Sequence, residues 1–97
     1  MSRFDQAKAV MQANKIKKEI EKHVSTGEAG DGAVRAEVTG ELKLKKITID
    51  PEYVDLEDIT QLERWVEDAV KEANDAAKAF TEEKTRPLMG MLGNLGL

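Results

Sequence analysis

Residues 32–50, GAVRAEVTGELKLKKITID, constrain this chain more than any other stretch, because they spell a β-hairpin between two segments of helical periodicity. Val34, Ala36 and Val38 alternate with Arg35, Glu37 and Thr39, the period of a strand with one buried face. Gly40 and Glu41 follow as the turn, where glycine is expected to supply a positive φ. In the return strand Leu42 and Leu44 share one parity and Ile47 and Ile49 the other, so the apolar phase slips at Lys45 or Lys46. A β-bulge there would return all four apolar side chains to one face and project the lysines outward. Asp50-Pro51 ends the strand, since proline cannot donate to a ladder. The strands are therefore expected at about 33–39 and 42–50.

Beyond the hairpin, Ile59, Leu62, Val66, Ala69, Ala73, Ala76 and Phe80 are spaced alternately by three and four. That is a narrow helical seam, and its alanines would admit a close helical partner. Trp65, Val70 and Ala77 widen it. Thr60 with Glu63, or Asp55 or Asp58, would cap its start, and Pro87 should end it, giving a helix over about 58–85, roughly 40 Å long. The first helix, about residues 3–24, has a face that switches midway. Phe4, Ala7 and Met11 lie on one side, and Ala9, Ala13, Ile16, Ile20 and Val24 on nearly the other, so the helix must meet two surfaces. Between the first helix and the hairpin, STGEAGD (25–31) reads as a polar connection, without the lysine of a phosphate loop. The tail LMGMLGNLGL (88–97) is apolar and glycine-interrupted, suited to packing in a dimer groove or to a mobile partner-binding role, and too short to span a bilayer.

These elements make one α+β domain over residues 1–97: long helix, small antiparallel sheet of two or three strands with a bulge, long helix. With four aromatic residues in 97, its core is thin for a monomer, and a homodimer is expected to cover the remaining apolar faces. The expected core and dimer residues are Phe4, Met11, Ile16, Ile20, Val34, Val38, Leu62, Trp65, Val66, Ala69, Ala73 and Phe80.

Charge is distributed unevenly behind a net value of −4. Residues 1–24 hold six Lys/Arg against three Asp/Glu, while 51–83 hold three against eleven. A basic helix on an acidic chain can meet a polyanion, or can pair with an acidic helix of another subunit. Catalytic chemistry leaves little trace. The sole histidine, His23, ends a lysine-rich helix and reads as solvated surface, and Glu63, Glu67 and Asp68 read as a solvated acidic face. Without cysteine there is neither a disulfide framework nor a thiolate metal site, so no catalytic residue, metal or cofactor is expected. The absence of a signal pattern or a long apolar run makes the cytoplasm the default location.

In their order and spacing, Gly32-Ala33-Val34, Gly40, Ile49-Asp50-Pro51-Glu52, Asp58, Leu62-Glu63, Ala73-Asn74-Asp75-Ala76 and the Met/Gly/Leu tail resemble the YbaB/EbfC family of bacterial nucleoid-associated proteins over nearly the whole chain. The resemblance implies an intertwined dimer with protruding helices, a nucleoid location, and DNA binding without enzymatic activity. It supplies no contact residues, which come from physics instead. Lys8, Lys15, Lys18 and Lys22 form a stripe along the first helix, flanked by Arg3 and Lys17; Arg35, Lys43, Lys45 and Lys46 form a second group on the hairpin. Contacts of this kind go to phosphates, with little sequence preference and steep salt dependence. The alternative is a protein-interaction module, accessory to recombination or replication proteins, docking through the acidic helix without touching DNA.

Overall fold

The computed structural model describes residues 3–94. Helix α1 (Arg3–Lys22) leads into three strands, β1 (Val24–Ala29), β2 (Val34–Thr39) and β3 (Leu44–Ile49), then a 3-10 turn (Pro51–Tyr53) and helix α2 (Ile59–Asn94). The sheet is antiparallel in the order β1-β2-β3. Its inner face lies on the first half of α2, where Val34, Ala36, Val38, Ala69, Ala73 and Ala77 form the buried core.

The hairpin carries the expected bulge. Glu37 pairs with Lys46 and Val38 with Leu44, so Lys45 is the extra residue. Leu44, Ile47 and Ile49 consequently stand opposite Val38, Ala36 and Val34 on one face. Leu42 does not join them. It lies in the turn with φ 65°, and its N–H and that of Lys43 donate to the carbonyl and the hydroxyl of Thr39. Gly40, expected to supply the positive φ, does not do so. A side chain there would strike the carbonyl and Cγ2 of Ile20, so glycine is required because the turn sits on the end of α1.

The segment expected as a polar connection is mostly β1, paired with β2 from Val24↔Thr39 to Ala29↔Val34. Its inward residues, Ser25, Gly27 and Ala29, are small because α2 passes directly over them. A Cβ on Gly27 would collide with the backbone of Ala69 and Ala73. The helical seam therefore meets a sheet rather than a second helix, and Ala77 takes the buried place expected of Ala76, which is exposed. Trp65 covers Gly30, whose φ of 64° opens the β1–β2 turn.

Asp58 caps α2, its Oδ1 accepting from the Gln61 N–H at 3.3 Å. The helix then runs through Pro87 to Asn94, 36 residues and about 54 Å, rather than stopping near residue 85. Pro87 leaves only the Glu83 carbonyl without its helical donor, on an exposed turn where water can serve. Residues 88–94, expected as tail, are thus helical; residues 95–97 of that expectation lie outside the described part. This distal half of α2 pairs antiparallel with α1: Lys84 Nζ lies 3.5 Å from Glu19, and further out Leu88 shares a groove with Ala13 and Ile16. The result is a sheet-and-helix body with a two-helix arm, 66 × 18 × 15 Å overall.

At the root of the arm, His23 stacks on Phe80 with centroids 3.5 Å apart, and its Nε2 shares a 3.1 Å hydrogen bond with the buried Ser25 hydroxyl. Thr81 Oγ1 donates to the Gly40 carbonyl at 3.1 Å. His23, expected as solvated surface, is instead a half-buried joint between body and arm.

Candidate nucleic-acid interface

The packing of α1 decides what it can present outward. Ala9 is buried, and Ala13, Ile16 and Ile20 are half-buried on the side that meets α2. At 3.6 residues per turn Lys8, Lys15, Lys18 and Lys22 fall within about 80° of arc, centred roughly 150° from that packed side. All four are exposed, and they span about 21 Å along the helix axis. The nearest carboxylate at the C-terminal edge of the stripe, Glu19, is engaged by Lys84. The four ammonium groups thus face solvent as one set.

The flanking residues differ. Arg3 is exposed on the first turn. Lys17 lies round the helix, lining the α1–α2 groove together with Glu21 and Glu41. Arg86, on the same arm, is an exposed basic residue that sequence reasoning passed over because α2 is acidic as a whole. From Lys84 to Asn94 there is no Asp or Glu, so the outer part of the arm carries only basic charge on α2, while the body half of α2 is acidic.

The hairpin group is placed apart from this stripe. Arg35 and Lys46 are on the outer face of the sheet, beside carboxylates: Arg35 pairs across the ladder with Glu28, and Lys46 with Glu37. Lys45 protrudes at the bulge and Lys43 at the turn, both exposed. Interleaved signs make the sheet face a poorer site for a polyanion than α1.

Several apolar residues lack cover. Leu44 is 54% exposed and Ile49 39%, because α2 lies over β1 and β2 and leaves the inner face of β3 open. On α2, Val66 and Val70 line an open groove on the flank away from Trp65. Of the other residues expected in the core or dimer contact, Val34, Val38, Ala69 and Ala73 are fully buried, and Ile16, Ile20, Leu62, Trp65, Val66 and Phe80 are half-buried. Phe4 and Met11 are 86% and 71% exposed in the chain, so they contribute nothing to its own core. Among the described residues no group of His, Asp and Glu is placed to hold a metal ion, and no helix is long and apolar enough to cross a membrane.

Residues 1–92 match the model of the YbaB/EbfC DNA-binding family. The nucleoid-associated protein CT0805 of Chlorobaculum tepidum is 38% identical over 94 residues, covering 97% of this chain and 81% of that protein. A nucleoid-associated protein of Clostridium perfringens is 44% identical over 79 residues, covering 81% of this chain and 70% of its own length. Among solved structures, the uncharacterized protein HP0035 of Helicobacter pylori superposes with a TM-score of 0.65 over 90% of this chain and 88% of that one; at 22% identity this likeness speaks for the fold alone.

Proposed function

Because the chain belongs to the YbaB/EbfC DNA-binding family, we propose that it acts as a nucleoid-associated homodimer that holds duplex DNA through phosphate contacts and performs no catalysis. The observation that carries this reading is the lysine stripe of α1. It is exposed, nearly opposite the packed side, and raised on an arm away from the acidic body. Phosphates are recognised by such a stripe without reference to base identity, through displacement of condensed counterions. Nothing resembling a recognition helix or an aromatic stacking platform accompanies it among the described residues, which favours weak sequence preference.

The dimer is supported by the open inner face of β3. Ile47 packs against the core, but Leu44 and Ile49 beside it are exposed, and a second copy would cover them together with Val66 and Val70. Two arms then present two stripes, about eight lysines in all.

Fluorescence anisotropy on two unrelated labelled duplexes tests the reading. Eight phosphate contacts predict similar affinity for both and a loss of roughly a thousandfold or more between about 50 and 200 mM salt. The combined Lys15→Glu, Lys18→Glu and Lys22→Glu variant should abolish binding while light scattering still finds a dimer. A well-folded dimer that ignores DNA at the lower salt would overturn the proposal and leave a protein-docking role for the acidic helix.

A further inference from the structure

Helix α1 is apolar on two faces, and the chain uses only one. Phe4, Ala7 and Met11 are exposed, within about 60° of arc. That arc coincides with the sector of Lys15, Lys18 and Lys22, and Lys8 stands at its edge between Phe4 and Met11. One solvent face of a single helix is therefore apolar over its first turns and basic over its last. Whatever covers Phe4 and Met11 must also lie against Lys8 and Lys15. A second copy docked there through the same face would bring like-charged lysines together, which disfavours an isologous seam. The occupant needs anionic groups flanking a flat apolar surface. Duplex DNA has both, in its phosphates and in the faces of its bases, which become accessible when a step unstacks.

We infer that Phe4 and Met11 are wedge residues, inserted at base steps while Lys15, Lys18 and Lys22 hold the neighbouring phosphates. Seven residues separate the two side chains by about 10 Å along the helix, close to three base-pair rises of about 3.4 Å. The charge on the helix then fixes where the duplex lies, and the apolar end deforms it. This inference rests on α1 being the DNA-binding face, and it adds a consequence that phosphate contacts alone do not have: bound DNA is kinked, and DNA already weakened at one step is preferred.

The test compares the full chain with the Phe4→Ala/Met11→Ala and Phe4→Leu/Met11→Leu variants on two duplexes of about 30 base pairs, one fully matched and one with a central mismatch, both labelled at the ends. Opening a step costs a few kcal/mol and a mismatch removes part of that cost, so the unaltered chain should prefer the mismatched duplex by roughly tenfold and shorten the end-to-end distance in energy transfer. The alanine pair should bind the matched duplex with the same salt sensitivity but lose both the preference and the shortening. The leucine pair should restore them. Salt-sensitive binding by the unaltered chain with no mismatch preference would overturn the wedge role and spare the phosphate reading, whereas no binding at all would overturn both. An alanine pair that falls to half the mass in light scattering would overturn it by assigning Phe4 and Met11 to the subunit contact.

Discussion

Gly27 shows what a single hydrogen atom in place of a methyl does for this fold. The strand bearing it carries no apolar signal, and its inward positions are small: at Gly27 even a Cβ would meet the backbone of Ala69 and Ala73. Gly27→Ala should therefore destabilise the protein by about 2 kcal/mol or more, since the collision is with backbone and cannot be relieved by a rotamer. Urea unfolding would show a lower midpoint, and an unchanged midpoint would mean that β1 can lift from α2. The same residue explains a gap in what was legible. Hydrophobic alternation revealed β2 at once and passed over β1, where small size replaces hydrophobicity as the mark of a buried face. The glycine of the hairpin turn was likewise recognisable as necessary, but for the wrong reason, because its constraint comes from Ile20, twenty residues away in sequence.

At the level of elements, the hairpin bulge and the two long helices were readable because each rests on a local period. What local pattern did not disclose is where one element stops when another supports it. Pro87 reads as a terminator, yet α2 continues for seven residues past it, with Leu88 lining a groove shared with Ala13 and Ile16 of α1. Tertiary contact offsets the lost backbone bond. Pro87→Ala restores a donor to the Glu83 carbonyl and should stabilise the arm by about 1 kcal/mol, up to the roughly 3 kcal/mol that an interior proline costs. Slower amide exchange over residues 83–94 would report it, and unchanged exchange would indicate that the arm's stability is set by α1 alone. The lysine stripe was also legible as a period, whereas the mixed charge of the sheet face was not, because Glu28 and Glu37 come beside Arg35 and Lys46 only through strand register.

On the scale of the whole molecule, the proposed function assigns subunit contact to the acidic body and DNA to the lysine-bearing arm. The open face of β3 belongs to the body, so Leu44→Lys with Ile49→Lys should halve the mass seen by light scattering without altering the helicity of the chain. Salt dependence should fall at the same time, because a monomer presents four stripe lysines where a dimer presents eight. A variant that keeps its full mass would place the subunit contact elsewhere.

Body and arm also share one unbroken helix, and this makes the molecule a lever. From Thr81 to Asn94 the arm extends about 20 Å beyond its root. The root is a small joint: His23 on Phe80, Thr81 on the Gly40 carbonyl, Lys84 near Glu19. A tilt of roughly 10° at that joint carries the tip by about 4 Å, close to one base-pair rise. In the proposed dimer the spacing between the two tips would depend on the stiffness of that joint and of the helix running through it, so DNA of differing groove width would be accommodated or refused at the Lys22 end of the stripe.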